Sequence, residues 1–236
     1  MKHLILACAL AACCAHTGAA DCPPYVKHTP GGDYTNAEDR SGLSVVEKFH
    51  FSRAVETLTQ GMTGSLGGDI SYTLEHFPNH HRALASMARL GLRLKSAQPV
   101  GARYTVSCFF KRAIAFAPHD VTARMVYGNY LLAMGQDATA LEQLEAASRL
   151  APDQATIQYN LGLMYVKKKE YDKASAHAQK AYALGFPLPG LKNKLKAAGK
   201  WREPPPAPAA ETATVEAAAA TAEEPAVPPV KKPSGE

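Results

Sequence analysis

"YGNYLLAMGQDATALEQLEAASRLAPD", residues 127–153, is followed by "LGLMYVKKKEYDKASAHAQKAYALGFP", residues 161–187, with the same layout. A shift of 34 residues places Gly128 on Gly162, Ala140 on Ala174 and Ala147 on Ala181. Stepping back by the same 34 places Ala147 on Ala113 and Pro152 on Pro118. A fixed period of this length is the signature of a stacked repeat and decides the architecture. Ala140 and Ala147 are separated by two helical turns and share one face. Gly and Ala fit where helices cross closely, because a larger side chain would force them apart. Pro152 ends a helix because proline cannot continue the hydrogen-bond ladder. One such unit cannot bury its own apolar face, so the units must stack.

At these residues the chain resembles the tetratricopeptide repeat (TPR) family, whose unit is a 34-residue helix-turn-helix with the pattern W-x2-L-G-x2-Y…A-x3-F…P. Tyr127, Gly128 and Leu131, then Leu161, Gly162 and Tyr165, occupy the L-G-x2-Y slots. Ala140 and Leu144, then Ala174 and Ala178, occupy A-x3-F. Phe186 takes the second closing proline slot, with Pro187 next, and Arg124 and Gln158 stand in the Trp slots. The resemblance spans residues 83–188 and implies an all-α fold of antiparallel helix pairs in a short superhelix.

The flanks divide around that array. Residues 121–154 and 155–188 are two full units. Residues 81–120 form a third unit with a long inter-helix loop, "KSAQPVGARY", which makes it 40 residues long. Leu84, Met87, Leu90 and Leu94 stripe its first helix. Phe110, Ala113 and Pro118 mark its second. Residues 52–80 suggest a degenerate helix pair, Ser52–Gln60 and Asp69–Phe77, joined by "GMTGSLGGD". That glycine cluster links two helices, so a turn is expected in place of a phosphate cradle, which follows a strand. Asp69 is expected as an N-cap. Residues 21–51 are Pro- and Gly-rich and expected to be irregular, with "VVEKFHF" readable as strand or helix. Residues 189–202 are a capping helix: Leu188, Leu191, Leu195 and Ala198 on one face, Lys192, Lys196 and Lys200 on the other. Residues 203–236, rich in Pro, Ala and Glu, cannot bury enough apolar surface to order and are expected as a disordered tail.

Residues 1–20, "MKHLILACALAACCAHTGAA", have the charge, apolar run and small terminal residues of a signal peptide. Export to a bacterial periplasm is expected. The alternative is a lipid anchor on Cys13, within the lipobox-like "LAAC". No segment reaches the roughly 18 apolar residues of a transmembrane span. Removing the leader leaves Cys22 and Cys108, which an oxidising compartment would pair as a disulfide. The long loop so closed contributes about 4–5 kcal/mol in the chain-entropy picture.

His76, His80 and His81 crowd into "LEHFPNHHRAL", residues 74–84. His76 and His80 have the i, i+4 spacing of a zinc helix, but Pro78 intervenes and biases Phe77 away from helix. A repeat junction is expected, with Asn79 or His80 starting the next helix. A metal-dependent hydrolytic enzyme using these histidines, with His50, is the alternative function. No nucleophile elbow is present, and no catalytic residue, metal or cofactor is expected.

The resemblance implies a peptide-holding inner face lined by the first helix of each unit. Its positions here are Arg89, Arg93, Met125, Asn129, Leu132, Tyr159, Leu163 and Lys167, with Asn160 beside Asn129. The asparagine pair resembles part of a clamp for a peptide carboxylate, though Met125 stands where that clamp wants lysine. The expected partner is a protein or peptide, acidic or bearing a C-terminal carboxylate, and not a nucleic acid. A scaffold or adaptor in the cell envelope, accessory to a transport or assembly complex, is the expected role. Lys167, Lys168 and Lys169 with the 192–202 segment make one end basic, fit for an anionic surface or an acidic partner.

Overall fold

A computed structural model describes residues 22–203. The expected leader, Cys13 and all of the expected tail beyond Glu203 lie outside the described residues. Among the described residues the regular secondary structure is all helical, without strands. A one-turn 3-10 helix, Glu38–Arg40, precedes ten α-helices. They are α1 Leu43–His50, α2 Arg53–Glu56, α3 Leu66–His76, α4 His81–Leu94 and α5 Val106–Phe116. The rest are α6 Val121–Ala133, α7 Asp137–Leu150, α8 Ala155–Lys167, α9 Tyr171–Ala183 and α10 Gly190–Ala197.

The helix starts follow local chemistry. Ser65, Thr105 and Asp120 each accept a hydrogen bond from the backbone N–H three residues on, capping α3, α5 and α6. The tight turns inside the two full units match across the repeat. Gly135 (φ 73°) and Lys169 (φ 61°), 34 residues apart, both take the left-handed conformation that closes the first helix of a pair. Glycine does this without strain, whereas lysine does not.

Helices α6 and α7 pack as one antiparallel pair and α8 and α9 as the next. The core runs through the stack in two parts joined at Leu132, which packs against both. The N-terminal part is built on large rings and branched chains: Phe51, Phe109, Phe110, Leu84 and Tyr127. The C-terminal part is built on Ala147, Ala174, Ala178 and Ala181 with Leu161, Leu191 and Leu195. A Cβ on Gly128 would sit 2.8 Å from Leu144 Cγ in its own partner helix. A Cβ on Gly162 would instead meet Leu191 of α10 at 2.3 Å. The repeat explains the difference. Leu144 is replaced one period later by Ala178, and Leu191 fills the space that the smaller side chain leaves.

Several expectations shift. "VVEKFHF", readable as strand or helix, is helical in α1 as far as His50, within a segment otherwise expected to be irregular. The helix expected over Ser52–Gln60 is a single turn, α2, after which Leu58 turns left-handed at φ 61°. Asp69 is not the N-cap. Ser65 caps α3, and the buried Asp69 carboxylate instead accepts from Met62 N, Thr63 N and Thr63 Oγ1, so it folds the glycine-rich turn onto the helix. Leu188 precedes α10 and is 57 % exposed, whereas Leu191 and Leu195 are fully buried.

Candidate functional site

The inner face of the repeats starts from two neighbouring stripes. Met125, Asn129 and Leu132 follow one face of α6. Asn160, Leu163 and Lys167 follow one face of α8. The stripes meet where Asn160 Nδ2 donates to Asn129 Oδ1 at 3.1 Å. Met125, Leu132 and Leu163 are half-buried beside this amide pair. Lys167 Nζ donates to Asp137 at 2.7 Å, an exposed pair that ties the end of α8 to the start of α7. Each asparagine amide keeps donor and acceptor capacity beyond the bond between them, which suits it to an extended backbone.

The other expected site residues have intramolecular tasks. Arg89 donates to the Glu56 carbonyl at 2.7 Å and Arg93 to the Leu58 carbonyl at 2.8 Å. Both guanidinium groups therefore satisfy carbonyls at the C-terminal end of the one-turn α2, which needs such help. Tyr159 is buried and stacked on Phe186 at 4.0 Å. Phe186, in the slot where the first unit has proline, thus closes the last pair by ring packing.

The histidine cluster does not assemble as a ligand set. The three rings diverge to different partners, and no group of three or more His, Cys, Asp or Glu side chains among the described residues converges on one point. What they build is an anchorage for residues 22–36, which cross α5 and the α3–α4 junction as a strap. The His76 carbonyl accepts from Tyr25 Oη and Gly32 N, both at 3.0 Å, and its Nδ1 donates to the Pro30 carbonyl. Asn79, fully buried, accepts from Tyr34 N at 2.9 Å and donates to Asp33 and Asp120 at 2.7 and 3.0 Å. His80 caps α4: Nδ1 accepts from Ala83 N at 3.1 Å, which leaves the proton on Nε2 to donate to Glu47 at 2.9 Å. His81 Nε2 reaches both Asp120 oxygens at 2.9 and 2.8 Å. Asp120 in turn caps α6 through Ala123 N. A single polar chain therefore links strap, α4 and α6.

Burial sets the electrostatics of this junction. It pushes the His80 imidazole down to about 4, and the Glu47 carboxylate only partly opposes that. Burial alone would raise Asp120, but hydrogen bonds from His81, Ala123 N and Asn79 outweigh it and hold the carboxyl below its ordinary value. His50 meets Asp69 at 3.2 Å and stacks on Tyr72, whose ring also packs against His76 at 4.4 Å. The strap is further held by Arg112, 5 % exposed, which donates to the Pro23 and Pro24 carbonyls at 2.6 and 3.0 Å under the Tyr104 ring. Cys22 and Cys108 lie beside this clamp with Cα atoms 5.4 Å apart. Sequence reasoning missed these polar contacts of the strap because they span 44 to 89 residues. The histidines were the visible signal, and their role is attachment.

No helix among the described residues is long and apolar enough to cross a membrane. A search of curated proteins finds no match. Residues 128–169 match the family model described as TPR repeat. The matched segment starts in α6 and ends at the left-handed Lys169, covering the asparagine pair and the turn that repeats the Gly135 turn. The match lies within the 34-residue register of the helix pairs, so this part of the chain is similar to tetratricopeptide repeats.

Proposed function

We propose that this chain is a protein- or peptide-binding scaffold of the bacterial cell envelope, accessory to a transport or assembly complex, which holds its partner on the α6–α8 inner face. The Asn129–Asn160 bridge carries the reading. Two amides fixed side by side on adjacent stripes, between half-buried Met125, Leu132 and Leu163, offer donors and acceptors to a peptide backbone and apolar contact to its side chains. TPR repeats are generally non-catalytic interaction units, and the divergent histidines give a hydrolytic reading no support. Lys167, held by Asp137, lies at one end of the stripe, where an acidic partner residue would compete for its ammonium group.

Export is supported by the leader-like first twenty residues and by the cysteines. Cys22 and Cys108, 86 residues apart in sequence, stand at a Cα separation within the range of a disulfide. Such a bond would staple the strap to α5 beside the Arg112 clamp.

The test is crosslinking and affinity capture from envelope extract, wild type against Asn129→Ala/Asn160→Ala, with helical content followed by circular dichroism. Both positions lie off the core, so the variant should fold. A crosslinked partner lost in the variant is the expected result. Undiminished capture by a folded double variant refutes the site.

A further inference from the structure

Charge is distributed very unevenly along this chain. Residues 167–202 contain ten Lys and Arg against two acids, a net of +8, whereas the whole chain carries +5. All the other residues together are therefore net acidic, by three charges. Within the basic segment the repeat lysines other than Lys169 are matched. Lys167, Lys168, Lys173, Lys180 and Arg202 pair with Asp137, Glu170, Glu170, Asp153 and Asp172. The terminal helix differs. Helix α10, "GLKNKLKA", has no acidic residue, and Leu191 and Leu195 are buried against α8 and α9. Lys194, Lys196 and Lys200 are exposed and make no ion pair with the described residues. By helical geometry Lys194 and Lys196 flank the outer face, with Asn193 and Ala197 between them. Exposed apolar side chains precede this helix: Leu184 and Leu188, 38 % and 57 % exposed, in the proline-bearing link that leads into α10.

We propose that the outer face of α10 and the Leu184–Leu188 link form a docking surface for an anionic phospholipid bilayer. Lysine is a hydrated point charge without the guanidinium fork, so lysines spread across a helix face suit a diffuse field of phosphates better than one carboxylate. Each lysine near such a surface adds about 1 kcal/mol of attraction at physiological salt. The two leucines supply the shallow apolar insertion that interfacial helices need. No other described helix packs over this face, so a planar surface can approach it. The peptide face between α6 and α8 is separate, and neither reading depends on the other.

Vesicle co-sedimentation of the full chain tests the proposal, with phosphatidylcholine vesicles as the neutral surface and phosphatidylcholine–phosphatidylglycerol vesicles as the anionic one. The expected result is binding to anionic vesicles alone, abolished in molar salt. Lys194→Gln/Lys196→Gln/Lys200→Gln should bind roughly 100-fold more weakly, about fivefold for each lysine removed. Leu188→Ser should weaken binding without changing its salt dependence. All three lysines are exposed, so circular dichroism should show unchanged helix. Absent binding to anionic vesicles, equal binding to both vesicle types, or full binding by the folded triple variant overturns the proposal. Binding of soluble polyglutamate in preference to vesicles also overturns it and assigns the patch to an acidic protein.

Discussion

His80 ties the fold to pH in a way that can be worked out in advance. The ring is fully buried between Tyr34 and Phe51, at 4.3 and 5.0 Å, with Glu47 on Nε2 and the Ala83 N–H on Nδ1. Protonation would place a hydrogen on Nδ1, against the N–H it now accepts from, and would bury a charge with Arg82 also nearby. The folded ring titrates at about 4, against about 6.5 in an unfolded chain. Between those values the unfolded state binds a proton that the fold refuses. Stability from this residue is therefore complete above about pH 6.5 and lost as pH falls toward the folded value. Linkage gives a loss of about 2 kcal/mol by about pH 5 and about 3 kcal/mol once both states are protonated. The comparison is wild type against His80→Asn, which keeps an N-cap acceptor but cannot titrate. Urea unfolding across this pH range should show wild type losing about 2 kcal/mol more than the variant by about pH 5. Shared contributions from other groups, including the depressed Asp69 and Asp120, cancel in that difference. Identical pH slopes would refute the burial argument.

Two further predictions concern the covalent and backbone constraints. Cys22→Ser should lower unfolding stability by about 4–5 kcal/mol, and wild type under strong reductant should fall by as much; a denaturation midpoint indifferent to reductant would remove the proposed disulfide. Lys169→Gly should raise stability by about 1 kcal/mol, because lysine holds a left-handed backbone there and glycine would not be strained. Gly135→Ala, at the same slot one period earlier, should cost a similar amount in the same urea assay; a loss of stability in Lys169→Gly or a gain in Gly135→Ala would contradict the matched-turn argument.

The repeat core was legible in advance because its information is local. Gly128, Gly162, Ala140, Ala147 and Pro152 recur at one spacing, and each has a steric reason to sit where it does. Pro78 likewise marked the α3–α4 junction correctly, since a proline constrains its own neighbours wherever the chain goes. Asp69 was misread for the complementary reason. Its position suits a cap, but a carboxylate bonds to whatever donors the fold delivers, and here Met62 and Thr63 were delivered. Arg89 and Arg93 were read as groove residues from their slots in the repeat, yet the one-turn α2 leaves carbonyls that they satisfy.

The sequence by itself determined the helix-pair repeat, its 34-residue register and the junction at Pro78, because periodicity and backbone constraint act within a few turns of helix. Only the tertiary structure decided what the polar and bulky side chains do. It turned the histidine cluster into the anchorage of an N-terminal strap and directed Leu191 of α10 into the space opened by Ala178. It also placed Asn129 beside Asn160 while stacking Tyr159 on Phe186. Each of these depends on which distant segment arrives at a given face, and the hydrogen-bonding and packing capacity of a side chain does not specify which partner that will be.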